Sequence, residues 1–272
     1  MKIFPLLAVL AVVLGGQPAS ASPLLGSSWS DIQKMPDFFT GNWQSVSAMV
    51  DVAEGAPYTD KAKAYIAQYK PIHDLPYAGA TCKTPGMPIV QRAGSPLKFF
   101  FEPGLIAIYV ENDSATRFIK VNGQHDSVSN PTYLGDSIAH FEGDTLVVES
   151  TDFADDIMFQ YGVFKKIDSP FGSITNSIFG PHGPNMKMVE RIRLLDADTL
   201  EDRLTVYDDT VWTKPYVSMP VQIFKRNRGA AGLPREWQCT SAIAMPFDVN
   251  ANKAIIKDPA EALQELEKQT QQ

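Results

Sequence analysis

Cysteine and histidine are scarce in this chain, which restricts the chemistry that its sequence can support. Among its 272 residues are 2 cysteines and 4 histidines. Zinc sites usually take three or four His, Cys or carboxylate ligands at short spacings, yet the sequence has no Cys-x-x-Cys, His-x-His or His-Glu-x-x-His. A metal site would therefore have to be assembled from distant residues such as His125, His140 and His182.

The signatures of common cofactor and nucleotide sites are also missing. The sequence has no Gly-x-Ser-x-Gly elbow, no Gly-x-Gly-x-x-Gly after a strand, no Walker loop and no Cys-x-x-Cys-His motif. We therefore expect no bound cofactor. Basic clusters are absent and the formal net charge is −7, which disfavours nucleic acid and anionic lipid as partners. The oligomeric state has no indicator in the sequence.

Long hydrophobic runs are absent after the first residues. Lys2 precedes an almost wholly apolar stretch from Phe4 to Leu14, and Ala19-Ser20-Ala21 is a small-x-small cleavage site. This stretch is too short to span a bilayer but fits a signal peptide. We expect cleavage near Ala21 and a periplasmic or secreted protein with no membrane span in its mature part. An uncleaved membrane anchor is the alternative.

Export to an oxidising compartment bears on the two cysteines. Cys82 and Cys239 could form a disulfide there, and the long loop that it closes would contribute about 4 to 5 kcal/mol by chain entropy. Two buried free thiols are the alternative. Catalysis by cysteine is disfavoured because both residues are candidate bridge partners.

Short strand-like runs follow one another through the centre of the sequence. Asn122-Gly123 and Gly143-Asp144 are hairpin-turn dipeptides between such runs. No helical pattern separates the runs, which predicts a mainly β fold: an antiparallel up-and-down barrel or a strongly curved sheet. The predicted strands are Phe99–Phe101, Leu105–Val110, Arg117–Val121, Ser137–Phe141, Leu146–Ser150, Met188–Leu195, Leu200–Tyr207, Val217–Lys225 and Glu236–Thr240.

Two helical patterns lie outside this central region. Thr59 can cap a helix over Asp60 to Tyr69, and Pro259 to Lys268 predicts a short amphipathic tail helix. We therefore divide the chain into a signal peptide (1–21), a loop-rich N-terminal segment packed on the β domain (22–95), the antiparallel β domain (96–247) and a C-terminal tail (248–272).

The Gly143-Asp144 hairpin has two chemically different faces. With a two-residue loop, the predicted pairs are Phe141 with Leu146, Ala139 with Val148 and Ser137 with Ser150. Because side chains alternate across a strand, the other face gathers titratable groups. That face is either solvated or the wall of a polar lumen or pocket, and it carries Asp136, Ile138, His140, Glu142, Thr145, Val147, Glu149 and Thr151.

A second hairpin is predicted around residues 196–199. Pairing Leu195 with Leu200 places Arg193 opposite Asp202, as a cross-strand ion pair or, alternatively, as a ligand clamp. Glu190 lies among aliphatic residues on the other face. A charge in such surroundings must be paired or reach water, so Glu190 is a candidate site residue.

Several motifs resemble a large family of secreted bacterial proteins of unknown function. The most specific stretch, Gly135 to Val148, reads Gly-Asp-Ser-Ile-Ala-His-Phe-Glu-Gly-Asp-Thr-Leu-Val-Val. The resemblance covers nearly the whole mature chain and implies a secreted β domain without an established reaction. Its shorter motifs are Met35-Pro36-Asp37, Gly41-Asn42-Trp43, Cys82 to Pro88, Phe101 to Gly104, Val189 to Arg193, Asp198 to Glu201 and Thr213-Lys214-Pro215.

The chain departs from this family in two places. His140-Phe141 replaces the usual Arg-Trp, and Asn122-Gly123-Gln124-His125 replaces an Asp-Gly-Arg-x-His segment, so a shared anion contact is not carried over. Gly41-Asn42-Trp43 also resembles the Gly-x-Trp opening of lipocalins, which implies a lipocalin-like or calycin-like barrel.

Residues bordering the predicted turns suggest acid–base chemistry. His125, His182, Asp136 and Glu190 could meet at one mouth of the sheet, and His140 lies on the polar face of the hairpin. An imidazole exchanges protons near neutral pH, and an adjacent carboxylate would fix its tautomer. One hypothesis is therefore a cofactor-independent lyase, isomerase or hydrolase that acts through these five residues.

The competing hypothesis is a non-catalytic ligand-binding or envelope-interaction protein. From Phe159 to Phe179 the apolar residues have no regular period, which predicts a lid or pocket edge for a hydrophobic or aromatic small molecule. A buried cavity joining His125 and His182 would favour the enzyme. An apolar cavity free of titratable groups would favour the binder.

Overall fold

The computed structural model describes residues 25–47, 56–69, 84–92, 94–157, 159–169, 172–216, 221–229, 233–236, 247–248 and 253–254. Its helices are α1 (Trp29–Ile32), α2 (Asp60–Gln68) and α3 (Ile89–Arg92). Its strands are β1 (Asn42–Ser45), β2 (Leu97–Glu102), β3 (Leu105–Val110), β4 (Ala115–Val121), β5 (Asp136–Glu142), β6 (Thr145–Thr151), β7 (Gln160–Ser169), β8 (Gly172–Phe179), β9 (Lys187–Asp196), β10 (Thr199–Tyr207), β11 (Val221–Asn227), β12 (Phe247–Asp248) and β13 (Lys253–Ala254).

Nine of these strands form a closed barrel, which confirms the predicted mainly β fold. Around the barrel the order is β1-β2-β3-β4-β5-β6-β9-β10-β11, and β11 pairs with β1 to close the ring. Every neighbouring pair is antiparallel except β4 and β5, which are parallel. A closed ring with an odd number of strands cannot alternate direction everywhere, so one parallel pair is required.

The parallel pair corrects one predicted turn. Asn122-Gly123 was expected to open a hairpin, but residues 122–135 instead return along the outside of the barrel and lead into β5. Asn122 does take the positive φ of a turn residue, +55°. Its side-chain amide donates to the Leu25 carbonyl at 3.0 Å. The dipeptide therefore turns the chain away from β4 without pairing it to an adjacent antiparallel strand.

Turns at Gly104, Gly143 and Asp198 lie at one end of the barrel, here called the hairpin end. Inward-facing side chains of the surrounding strands fill this part with an apolar core, and Phe38 closes it. Such close packing of aliphatic and aromatic groups supplies the main hydrophobic stabilisation of the barrel. The buried core residues are Phe38, Trp43, Leu97, Phe99, Ile106, Ile108, Val110, Ile119, Val121, Ala139, Leu146, Val148, Ile192, Leu200 and Phe224.

The Gly-x-Trp motif seals the hairpin end. The guanidinium carbon of Arg226 lies 4.3 Å from the Trp43 ring centroid, and the Trp43 indole donates to the Phe38 carbonyl at 2.7 Å. Gly41 has φ +81°, and a Cβ there would lie 2.7 Å from the Asn227 carbonyl oxygen. Only glycine avoids both the strained backbone and that collision, so β1 can approach β11 closely.

The opposite end of the barrel, here called the capped end, is covered by a second apolar cluster. It joins α2, α3 and the loop before β7 to inward-facing side chains of β9 and β10. Thr59 caps α2 as predicted, its hydroxyl accepting from the Ala62 amide at 3.1 Å. The buried members are Ala62, Met87, Val90, Phe153, Ile157, Phe159, Tyr161, Met186, Met188, Leu204, Val206, Val211 and Trp212.

The first predicted register is confirmed and places the polar face of its hairpin toward solvent. Phe141 pairs with Leu146, Ala139 with Val148, and Ser137 with Ser150. Those side chains point into the barrel, whereas His140 and Glu142 are exposed on the outer wall. The suggestion that this face lines a lumen or pocket is therefore wrong, and the solvated alternative is correct.

The second predicted register is wrong by one residue. A bulge between Thr199 and Leu200 pairs Leu200 with Leu194 and Glu201 with Arg193. Asp196 pairs with Thr199 across the two-residue turn Ala197-Asp198, and Leu195 is left unpaired in β9. The Asp196 carboxylate accepts from the Thr199 hydroxyl at 2.7 Å, which stabilises this pairing. The expected Arg193–Asp202 pair does not form. Arg193 binds Glu201 on the outer wall at 2.8 Å, and Asp202 points inward.

The proposed lid region is regular in structure. Most of the residues from Phe159 to Phe179 form β7 and β8, which pair as a separate antiparallel hairpin, so the expected aperiodic loop is corrected to a β-hairpin. Its role as a lid stays a prediction. The signal peptide, Cys82, Cys239 and the tail helix lie outside the described residues, as does most of the last predicted strand.

Candidate functional site

His125 and Asp136 meet on the outer wall of the barrel. His125 Nδ1 is 2.9 Å from Asp136 Oδ2, and the Lys120 ammonium is 2.7 Å from Asp136 Oδ1. Partial burial raises the pKa of Asp136, but hydrogen bonds from Lys120, the Asp126 amide and His125 outweigh it and bring the pKa below its usual value. His125 Nε2 lies 3.6 Å from Glu149. The expected contact between a carboxylate and an imidazole is therefore present, outside the barrel.

His140 and His182 lie apart from this pair. His140 is exposed, with Nε2 3.3 Å from Glu142 Oε1. In the loop before β9, His182 Nδ1 is 2.8 Å from the Gly183 carbonyl oxygen and Nε2 is 2.9 Å from that of Ala154. Both His182 nitrogens thus contact the backbone and fasten its loop to the capped end.

Glu190 lies inside the barrel and is fully buried. Its Oε2 is 2.6 Å from Arg117 NH2, and its Oε1 accepts from the Gln91 amide at 3.0 Å. Arg117 also donates to Gln91 Oε1 at 3.0 Å, to Ser137 at 3.2 Å and to Ser150 at 2.7 Å. Because Glu190 faces inward and Asp136 faces outward, the five predicted residues do not converge at one mouth. Their catalytic role stays a prediction.

A second buried ion pair lies in the same interior. Arg92 NH2 is 2.7 Å from Asp202 Oδ2, and the two side chains are 0% and 1% exposed. Burial raises the pKa of Asp202 to about 7; the charge of Glu190 adds to this effect, whereas Arg92 and Arg117 oppose it. We call the connected polar side chains of this region the interior polar network: Gln91, Arg92, Arg117, Ser137, Ser150, Glu190 and Asp202.

An open cleft of about 340 Å³ lies at the capped end, between the His182 loop and the segment after β10. Hydrogen bonds hold its walls: the Asp208 carboxylate accepts from the Gly183 and Thr210 amides at 2.8 and 2.9 Å, and the Thr213 amide donates to Pro57 at 2.7 Å. We call it the Trp212 cleft; its lining residues are Asn185, Tyr207, Asp208, Asp209, Trp212, Thr213, Lys214 and Pro215.

Trp212 gives the cleft a buried hydrogen-bond donor. The residue is 2% exposed, and its ring packs against Phe159 and Tyr216 at centroid distances of 5.4 and 5.3 Å. Its indole nitrogen has no hydrogen-bond acceptor among the described residues. An indole N–H can only donate, and leaving such a donor unsatisfied in a protein interior costs about 1 to 3 kcal/mol. The nitrogen itself is buried, so an acceptor in the cleft would recover this free energy when the cleft wall moves to admit it.

The remaining cleft residues provide an aromatic surface and charges of both signs. Tyr207 is 41% exposed, and the Lys187 ammonium lies 5.2 Å from its ring centroid. Lys214 is exposed and forms no ion pair within the described part of the chain. Asp208, which accepts from backbone amides, and the exposed Asp209 add two carboxylates to the lining.

Sequence reasoning identified Glu190 but missed its partners Arg117 and Gln91, and it missed Trp212. The alternation of Arg117, Ile119 and Val121 in one strand could have shown that Arg117 faces the core. Asp202 was assigned to the outer pair because the bulge shifts its register. For Trp212 the nearest signal is the adjoining Thr213-Lys214-Pro215 motif, which carries no information about indole burial.

Two absences concern the described residues alone. No group of three or more His, Cys, Asp and Glu side chains is placed there to hold a metal ion, and no helix among them is long and apolar enough to cross a membrane.

Compared with known proteins, the sequence matches no protein-family model and no curated protein. The resemblance to the secreted bacterial family therefore stays a prediction.

Proposed function

We propose that this protein binds a small aromatic molecule that carries a hydrogen-bond acceptor, and that the Trp212 cleft is the binding site. The observation that carries the proposal is the buried Trp212 indole, which lines the cleft and lacks an acceptor among the described residues. The cleft volume of about 340 Å³ lies within the range of small-molecule sites. Its aromatic and polar lining matches such a ligand.

An anionic substituent on the ligand would add a contact with Lys214. This lysine lines the cleft and has no carboxylate partner among the described residues. An exposed charge pair contributes little, on the order of 1 kcal/mol or less. We therefore expect the aromatic ring and the acceptor to determine affinity, and the charge to determine preference between otherwise similar ligands.

Calorimetric titration with benzoate, benzyl alcohol and benzylamine tests this assignment. Trp212→Phe keeps an aromatic ring and removes the N–H, so benzoate should bind about five-fold more weakly, the equivalent of about 1 kcal/mol. Without ligand, the variant should be less stable than the wild type, because the smaller ring leaves a cavity at a fully buried position. The control is Trp29→Phe, at a residue that is 63% exposed.

Unchanged benzoate affinity in the folded Trp212→Phe variant would contradict the proposal.

We further propose that this binding takes place in the periplasm or outside the cell. The signal-like first residues of the sequence support that location. A reaction on the bound molecule stays a prediction. The His125–Asp136 contact is the observation that favours acid–base chemistry, but it lies on the outer wall.

A further inference from the structure

Both members of the Arg117–Glu190 pair inside the barrel form a hydrogen bond with the same side-chain amide, that of Gln91. Arg117 NH1 donates to Gln91 Oε1 at 3.0 Å, and Gln91 Nε2 donates to Glu190 Oε1 at 3.0 Å. A primary carboxamide has one acceptor and one donor group side by side. The ion pair therefore presents the complementary donor and acceptor at the spacing of that group.

The pair is held in place without help from Gln91. Arg117 and Glu190 contact one another directly, with NH2 and Oε2 2.6 Å apart. The Ser137 hydroxyl accepts from Arg117 Nε at 3.2 Å, and the Ser150 hydroxyl accepts from the same NH2 at 2.7 Å. All four side chains arise from barrel strands, which fix their positions. The recognition geometry is thus preorganised in the barrel wall.

Gln91 reaches this site from outside the barrel strands. It lies on α3, a helix of four residues, and isolated helices of that length are not stable alone. The segment is held at the capped end by the burial of Met87 and Val90, by the Met87 amide, which donates to Tyr133 at 2.9 Å, and by the Arg92–Asp202 ion pair to β10. The amide that fills the site therefore belongs to a separately attached segment.

The chemistry of the pair selects against other small groups. A carboxylate in the position of the Gln91 amide would face the Glu190 carboxylate, and an ammonium would face the Arg117 guanidinium. Neither charge could be paired at both ends, and an unpaired charge is costly in a buried site. A neutral group with adjacent acceptor and donor satisfies both partners.

We propose that the Arg117–Glu190 pair is a recognition site for primary carboxamides or ureides, which Gln91 occupies as an intramolecular ligand. An external amide enters when α3 moves and withdraws the Gln91 side chain. This site is separate from the Trp212 cleft and does not rest on the function proposed above. The intramolecular ligand lowers the apparent affinity for an external one, because the two compete for the same groups.

Gln91→Ala in the full chain tests the proposal, because the deleted part of the side chain has the composition of acetamide. Acetamide should raise the melting temperature of this variant by about 3 to 5 °C at ten times its Kd. Acetate and N,N-dimethylacetamide should not, because the first is charged and the second cannot donate. Gln91→Met is the matched control, because it fills the same space with an apolar side chain. Acetamide should not change the melting temperature of this variant.

Acetamide also tests displacement in the wild type, and it has no aromatic ring for the Trp212 cleft to bind. It should bind both proteins, and bind Gln91→Ala at least ten-fold more tightly. No detectable binding of acetamide to the wild type, or equal effects of acetamide and acetate on Gln91→Ala, would overturn the proposal. If Gln91→Ala is unfolded in the absence of acetamide, near-ultraviolet circular dichroism replaces the measurement of melting temperature. Acetamide should then restore the signal of the folded protein. Failure to restore it would count against the proposed site.

Discussion

Removal of Arg117 should destabilise the barrel far more than removal of a surface arginine. In Arg117→Met, the buried Glu190 carboxylate keeps a single hydrogen bond, from Gln91. Its side chain is 0% exposed, so water cannot replace the lost guanidinium. Breaking one partner of a buried ion pair costs about 3 to 5 kcal/mol. Since total stabilities are about 5 to 15 kcal/mol, this is a large fraction of the fold.

The double variant separates the ion pair from the general loss of packing. Arg117→Met with Glu190→Met leaves no unpaired charge, so its cost should fall well below the summed costs of the two single variants. The control cycle uses Arg191 and Glu142, whose NH2 and Oε2 are 2.7 Å apart on the outer wall. Both are half-exposed, so water and salt screen their attraction and the control coupling should be small.

Urea unfolding of the single and double variants measures these differences, with the slope of each transition checked for two-state behaviour. A cost below about 1 kcal/mol for Arg117→Met would refute the reasoning, since it would mean that Glu190 finds water or another cation. Additive costs in the interior cycle would refute it equally, because they would show that the two charges do not interact.

Two further predictions concern single positions. Burial raises the folded-state pKa of Asp202 to about 7, whereas the pKa in the unfolded chain is about 3.9. The folded state therefore binds the proton more tightly than the unfolded state. The free energy of unfolding should decrease as pH rises from about 4 to 7. In urea titrations, the difference in unfolding free energy between the wild type and Asp202→Asn should fall across that pH interval. A difference that stays constant with pH would contradict the raised pKa of a buried Asp202 carboxyl. Gly41→Ala should cost more than Gly104→Ala, because both glycines have φ +81° but only at Gly41 would the added Cβ collide, 2.7 Å from the Asn227 carbonyl. Chemical denaturation compares the two, and equal losses would rule out the close approach.

The sequence predicted the local hairpins better than it predicted the closure of the ring. At Gly143-Asp144, the two-residue turn was sufficient to predict the register, which pairs Ala139 with Val148. At Asp196, a side-chain hydrogen bond to Thr199 accompanies a tighter turn that leaves Leu195 unpaired in β9, and no alternation pattern reports such a bond. The parallel partner of β4 depends on a long connection, which propensities do not describe.

The candidate sites were harder to predict because burial is a three-dimensional property. Alternation assigned Asp136 and Glu190 to faces of two different hairpins, but it did not say which face of each hairpin was inside. The partner of Glu190 lies on β4, far away in sequence, and Gln91 joins the pair from a helix of four residues. An unsatisfied donor such as the Trp212 indole becomes visible only when its whole surroundings are known.

Closure of the ring by the first and last barrel strands has a kinetic consequence. Ser45 and Gln222, which bond across that seam, are 177 residues apart in sequence. Contacts of such separation must await the synthesis of nearly the whole barrel, and chains dominated by them fold slowly. Until the seam forms, β1 and β11 each present an unpaired edge that can join another copy. Nascent molecules should therefore aggregate more readily than mature ones, and a holdase chaperone should raise the folded yield.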